Sequence, residues 1–308
     1  MLDPRRLSLL RDVARTGSIA GAAQRAGCTA SAASQQLSAL EQELGVALLE
    51  RSARSVRLTE AARVLVEHTH RVLAELDDAA RAVHAVSGLR GGSLRVAAFS
   101  TAATTLVVPA LVAFRQRHGE VRLSFAEAEP EDAIPAVAAG DLDLAVTHQY
   151  GHLPRPDLSG LRQALLHHDR LLLAVPPHLQ RTGQTTARLR DYAAETWLST
   201  LPSEGFQAVT EHLCRTEHFE PDIGYRSDSY DLLLALVASD FGVALVPGLA
   251  AAPRSGVAFL EVSQPEGLAR EIHITTRAAD TSAATRALRS LLMRRRPGGG
   301  EPGQDGGG

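Results

Sequence analysis

The sequence predicts a mixed α/β protein in three parts: an N-terminal winged helix-turn-helix, a long linker helix, and two C-terminal α/β subdomains. Three observations predict it. Residues 18–44 read as two short helices around a tight turn. Apolar residues over 62–86 recur at alternating spacings of three and four. From Ser93 onward, short apolar runs alternate with helical patterns. A chain of 308 residues has room for two or three domains with their own cores.

The first part occupies residues 1–58. Leu7, Leu10, Val13 and Ala14 give an opening helix with one apolar stripe. The next helix is built from small residues (Ala20, Gly21, Ala22, Ala23, Ala26), which permit close helix approach, and Gly27 stops it. In the third helix Ala33, Leu37, Leu40 and Leu44 form a stripe at the 3.6-residue period. Ser31, Gln35, Ser38 and Gln42 lie opposite, with Ser34 at the margin. Short uncharged side chains with donors and acceptors suit base edges in a major groove better than they suit a solvated face. Thr29, Ser31, Ser34, Gln35 and Ser38 are therefore the candidate DNA contacts of this helix. Downstream, the run Leu48–Leu58 reads as a β-hairpin wing presenting Arg51, Arg54 and Arg57 to phosphates or the minor groove. An ordinary helical hairpin inside a core is the competing reading.

The linker, residues 59–88, carries Ala62, Leu65, Thr69, Val72, Leu76, Ala79, Val83 and Val86 in strict a/d spacing over more than three heptads. That repeat predicts a seam between two chains, with Leu65, Val72, Leu76 and Val83 as its dimerisation residues. Thr59 is placed to cap its start, and Ser87-Gly88 to end it.

Charge follows the same division. Through residue 58 there are eight Arg and five acids, whereas residues 91–293 carry 17 Arg and 23 acids; the chain has no Lys at all. A basic reader on an acidic body is expected where one module alone touches DNA, and the net charge of −3 conceals it. Cys28 and Cys214, one in each region, fit a reducing cytoplasm and predict no disulfide within the C-terminal region. The N-terminus lacks the apolar core of a secretory signal, and no 18-residue apolar window exists, so the expected location is cytoplasmic and away from membranes. The Gly-rich run 294–308 is expected to be a disordered tail.

Residues 91–293 alternate strands (Ser93–Phe99, Val121–Phe125, 140–146) with helices (Leu106–Arg117, Pro130–Ala139). The order recurs with strands around Trp197–Thr200, Asp222–Ser227 and Val243–Val246, separated by the helices Gly205–Arg215 and Tyr230–Ala238. This predicts parallel sheets in two subdomains, the first from 91–160 and 264–293, the second from 161–263. The extended runs Leu161–Val175 and Val257–Thr276 would carry the chain across and back, and the helix Thr281–Met293 would return to the first subdomain.

Ligands of open α/β sheets bind beyond the carboxyl ends of strands, where helix N-termini offer free N–H groups. That rule selects Ser100, Thr101, Thr104, Thr147 and His148 on the first subdomain. On the second it selects Ser199, Thr200, Ser203, Phe206, Ser227, Ser229 and Pro247. Most carry hydroxyls able to hold a small carboxylate or polar metabolite. No nucleophile elbow, Walker loop or HExxH pair is present. His167-His168-Asp169 resembles a catalytic cluster, but adjacent strand residues face opposite ways. No enzyme, metal site or cofactor is therefore expected.

Residues 1–66 resemble the N-terminal domain of the LysR-type transcriptional regulators. The resemblance rests on Thr16-Gly17-Ser18, Ala22-Ala23, Ser34-Gln35-Gln36-Leu37, Leu40-Glu41, Glu43-Leu44-Gly45-Val46, Leu48-Leu49-Glu50-Arg51 and Val56-Arg57-Leu58-Thr59-Glu60-Ala61. Ala30, Leu49, Ala53 and Ala62 depart from the usual pattern. A looser likeness covers Ala235-Leu236-Val237-Ala238 and Gly242-Val243-Ala244-Leu245-Val246-Pro247, in a periplasmic-binding-protein-like effector domain. The resemblance implies a homodimer or homotetramer on double-stranded DNA at a dyad promoter site. It also implies a small-molecule effector between the lobes and RNA polymerase as a further partner. A cytoplasmic solute-type binding protein with a non-DNA oligomerisation module is the alternative.

Overall fold

The computed structural model describes residues 2–51, 56–86, 92–151, 154–202, 205–262 and 269–294. Helix α1 (Pro4–Thr16) starts at Asp3, whose carboxylate accepts from the Arg5 N–H, with Pro4 at a position where its missing N–H costs nothing. Helix α2 (Ile19–Arg25) is capped by Ser18, and α3 (Ala30–Leu44) by Thr29. Gly27 joins them at φ +65°, a left-handed turn that a side chain would strain. Leu7, Leu10, Val13, Ala22, Ala23, Ala33, Leu37 and Leu40 close into one core. Leu44, expected on the apolar stripe, is instead 37% exposed, because the stripe outruns the two helices available to cover it.

The wing pairs β1 (Leu49–Arg51) antiparallel with β2 (Val56–Leu58). It is pinned to α3 by Glu41, whose Oε1 accepts from the Leu48 and Leu49 N–H groups at 2.8 and 3.0 Å. Helix α4 (Glu60–Val86) begins where Thr59 Oγ1 accepts from the Ala62 N–H at 3.2 Å and donates to the Ala47 carbonyl. Its heptad stripe divides in two. Ala62 and Thr69 are fully buried and Leu65 packs on the winged-helix core, whereas Val72, Leu76 and Val83 are 44, 48 and 67% exposed. The expected helix end at Ser87-Gly88 lies outside the described residues.

The C-terminal region forms two lobes. The first sheet has the order β4-β3-β5-β13-β6, from β3 (Gly92–Ala98), β4 (Val121–Glu127), β5 (Leu144–Tyr150), β6 (Leu161–Asp169) and β13 (Arg270–Arg277). The second has the order β10-β9-β11-β7-β12-β8, from β7 (Leu171–Val175), β8 (Thr186–Ala187), β9 (Thr196–Ser199), β10 (Asp222–Arg226), β11 (Val243–Pro247) and β12 (Ala258–Val262). Both sheets are mixed rather than parallel. The strands that cross between lobes return antiparallel: β13 against β5 and β6, and β7 against β11 and β12.

The expected subdomain boundary at 160/161 also moves. β6 completes the first sheet, and the chain crosses at Arg170, between β6 and β7. Sequence alone could not place that crossing, because β6 and β7 are consecutive extended runs with no turn residue between them. Helices α5 (Ser100–Ala102), α6 (Val108–Arg117) and α7 (Pro130–Ala138) cover the first sheet, with a π turn over Ala103–Val107 joining α5 to α6. The expected helix at Leu106 thus begins earlier, at Ser100. Helices α8 (Phe206–Thr216) and α9 (Tyr230–Ala238) serve the second lobe. Helix α10 (Ala283–Arg294) returns to the first, burying Leu288, Leu291 and Leu292 with Phe114. It takes in Arg294, the first residue of the expected tail; 295–308 lie outside the described residues.

A polar link joins the winged helix to the first lobe. Arg15 Nη1 of α1 lies 2.7 Å from Asp141 Oδ2, in the turn before β5, with Arg11 at 3.7 Å from the same carboxylate.

Candidate functional site

Two sites emerge, one convex and one concave. On α3, burial of Ala33, Leu37 and Leu40 leaves Ser31 and Gln35 exposed on the outer face, with Ser34 and Ser38 half-buried beside them. Thr29 is exposed, but its hydroxyl is engaged at 3.2 Å as acceptor from the Ala32 N–H, so its first role is the helix cap. Gln36 is exposed but engaged by α1, accepting from Arg6 Nε at 3.0 Å. On the wing, Arg57 is exposed opposite Glu50, and Arg51 pairs with Val56 through the backbone. Arg54 and the Arg51 side chain lie outside what is described.

The concave site is a cavity of about 730 Å³ between the lobes, within the range of small-molecule pockets. Seven residues selected by the strand-end rule line it: Ser100, Thr101, Thr104, His148, Thr200, Phe206 and Ser229. Four do not. Thr147 points to the other face of β5, where its hydroxyl meets Thr275 at 2.9 Å. Ser199 is buried in β9 while its neighbour Thr200 faces the cavity. Both failures follow from the two-residue period of a strand, which sends neighbours to opposite faces. Ser227 is spent on its own turn, accepting from the Ser229 N–H at 3.1 Å. Pro247 is buried within β11, paired to Leu171. Ser203 lies outside the described residues.

The centre of the cavity was missed by the strand-end rule. Arg270 opens β13, and because β13 runs antiparallel its first residue lies at the carboxyl edge of the sheet, in register with Tyr150 of β5 and Asp169 of β6. Arg270 Nη2 donates to Asp169 Oδ2 at 2.6 Å and to Thr101 Oγ1 at 2.9 Å, with Nε reaching the same carboxylate at 3.1 Å. Both side chains of the ion pair are only 2% exposed. Asp169 Oδ1 also accepts from the Leu249 N–H at 3.0 Å, tying this pair to the turn after β11 in the second lobe. Asp169, the suspect member of a catalytic cluster, is thus the counter-ion of the pocket arginine.

Aromatic rings continue from lobe to lobe. Phe99 meets His148 at 4.6 Å between centroids, His148 meets Tyr150 at 5.4 Å, Tyr150 meets Phe206 at 5.8 Å and Phe206 meets Tyr230 at 5.9 Å. The Arg270 guanidinium sits over Phe99 at 4.8 Å. Burial holds the His148 imidazole below its ordinary pKa, against the opposing pull of its 3.1 Å bond to Glu129. Burial likewise pushes the Tyr150 and Tyr230 phenols upward, so both remain protonated. Away from the cavity, Cys214 is buried and its thiol is pushed up to about 12 by burial, which leaves it inert, while Cys28 is exposed. Among the described residues no helix is long and apolar enough to cross a membrane.

A helix-turn-helix with an exposed polar face, joined by one long helix to a two-lobed domain with a ligand-sized cleft, defines a ligand-responsive DNA-binding regulator. Comparison with known proteins makes the class specific. Residues 4–63 match the family described as bacterial regulatory helix-turn-helix protein, lysR family, and residues 87–297 match the LysR substrate binding domain. The chain is 31% identical to the probable HTH-type transcriptional regulator LrrA of Synechococcus elongatus, over 80% of this chain and 81% of that one. Its fold is similar to that of CbnR, a LysR family transcriptional regulator, with a TM-score of 0.60 at 24% identity, covering 96% and 100% of the two chains. A full-length OxyR from Pseudomonas aeruginosa gives 0.70 at 20% identity, covering 96% and 94%. The chain belongs to the LysR family. It is a DNA-binding transcriptional regulator with an effector-binding domain.

Proposed function

We propose that this regulator reads a dyad promoter site with paired copies of α3, and that a small molecule in the interlobe cleft adjusts the reading. The observation that supports it most is the convergence on one cavity of residues from both lobes, Thr101 and Arg270 from the first and Thr200, Phe206 and Ser229 from the second. A ligand touching both lobes binds a closed arrangement better than an open one, and can therefore shift their equilibrium. The exposed apolar run Val72, Leu76 and Val83 on α4 supports pairing of two chains along the distal half of that helix. Leu65, assigned to the same seam from sequence, is already engaged by its own winged-helix core.

On DNA, Ser31, Gln35, Ser34 and Ser38 are the base-facing set, and Arg57 the wing's described phosphate contact. The reading makes the protein a cytoplasmic regulator rather than an enzyme, assembled as a homodimer or homotetramer, with RNA polymerase as a further partner. Its test joins the two ends of the molecule. Thr101→Val removes the hydroxyl that Arg270 holds in the cleft. The variant should bind operator DNA as wild type does and lose its response to inducer. Normal induction in the variant would move the effector site elsewhere, and failure of the wild type to select any sequence from random duplexes would remove the DNA reading.

A further inference from the structure

The charges and rings of the cleft point to the chemical class of its ligand. We infer that the effector is an organic ammonium compound: a protonated or quaternary amine on an apolar or aromatic body. This rests on the cleft being the effector site.

The first observation is electrostatic. The charged side chains lining the cavity are Glu127, Glu129, Asp228, Asp231 and Arg270. Arg270 is neutralised by Asp169 at 2.6 Å, and Asp231 is neutralised by Arg254 at 2.8 Å. Glu129 bonds to His148, an imidazole that burial keeps uncharged near neutral pH. Among the described residues no cation pairs with Glu127 or Asp228. Three carboxylates from two lobes, Glu127 and Glu129 on one and Asp228 on the other, therefore line one half-open cleft without a matching positive charge among the described residues. A simple carboxylate entering it would add to that repulsion, whereas an ammonium would relieve it.

The second observation is independent of charge count. Phe99, Tyr150, Phe206 and Tyr230 line the same cavity, two from each lobe. Aromatic faces attract cations through their quadrupole, most strongly when the cation is shielded from water. Arg270 already occupies the Phe99 face at 4.8 Å, and Tyr150, Phe206 and Tyr230 contact one another in series, so a ligand meets only the cavity-facing parts of these three rings. The expected carboxylate is accommodated only as one end of a zwitterion, whose ammonium end supplies the missing charge.

The test is a thermal-shift titration of the full-length protein at neutral pH and near-physiological salt. Amines (phenethylamine, agmatine, choline, lysine) are set against anions (phenylacetate, benzoate, succinate) and calcium chloride. At least one amine should raise the melting temperature in a saturable way while the anions and calcium do not. Glu129→Gln keeps the hydrogen-bonding shape beside His148, and Asp228→Asn keeps the acceptor for the Leu201 N–H, so both variants should fold. Each should weaken the active amine by about tenfold. A shift by anions or by calcium alone, abolished in Thr101→Val, would overturn the amine assignment while leaving the cleft as the site. Amine binding undiminished in both acid variants and in Thr101→Val would place that binding outside the cleft. No shift from any compound would overturn the assignment as well.

Discussion

The outer face of α3 and the wall of the interlobe cleft are both polar, yet they are built in opposite ways. On α3 the outer polar side chains Ser31 and Gln35 are left exposed after the helix has buried Ala33, Leu37 and Leu40. In the cleft the polar side chains hold the lobes themselves. Arg270 and Asp169 are buried, bonded to each other, and linked to Thr101 on one lobe and the Leu249 N–H on the other. A recognition surface for a large rigid partner can be separated from stability. The wall of a cleft between lobes cannot be, because the groups that line it also set the lobe arrangement.

The largest effect is therefore expected in the cleft. Asp169→Ala leaves the Arg270 guanidinium buried without its counter-ion and should cost about 3–5 kcal/mol in urea denaturation. A cost below about 1 kcal/mol would show that Arg270 finds water or another partner, and the contrast between the two sites would fail. Gln35→Ala should behave in the reverse sense. Specific operator affinity falls by about 1–3 kcal/mol, measured by titration of labelled duplex, while stability stays within about 0.5 kcal/mol. Unchanged operator binding would take Gln35 out of base recognition.

Thr29 lies between these extremes. As the α3 cap it should cost about 1 kcal/mol of stability on Thr29→Ala, and Thr29→Asn should restore most of it. If Thr29→Asn recovered stability without recovering operator affinity, Thr29 would hold both roles. The smallest effect concerns pH. The folded-state pKa of His148 lies below its ordinary 6.5, so the unfolded chain takes up a proton first. Its contribution to stability is complete above about pH 6.5 and declines as pH falls through the lowered value. His70 and His273, also lowered by burial, act in the same direction. His148→Gln should flatten part of that decline in melting temperature between neutral and mildly acid pH; an unchanged slope would assign it to the other two histidines.

The same contrast explains what could be read from residue order. Helical periodicity exposes a face directly, so Ser31, Gln35 and the apolar stripe of α4 are legible without a structure. The strand-end rule reached Ser100, Thr101 and His148 because β3 and β5 are parallel neighbours whose carboxyl ends share an edge. It could not reach Arg270, which begins its strand rather than ending it. It chose Thr147 and Ser199 because it fixes a position along the strand but not a face.

Glu41 shows a third kind of residue. It was noticed only as part of a motif, and its work is to hold Leu48 and Leu49 at the root of the wing. The pairing of Arg15 with Asp141 had no signal at all, since charges 126 positions apart are indistinguishable from any other surface pair.

Local order along the chain determined the helix-turn-helix, the wing, the heptad run of α4 and the alternation of strands with helices. Each is fixed by spacing between near neighbours. Only the tertiary structure decided where the chain crosses between lobes, which half of α4 is left uncovered, and that an arginine from β13 meets an aspartate from β6 at the centre of the cleft. Those outcomes depend on antiparallel register and on competition for buried area, and neither is encoded in any single stretch of residues.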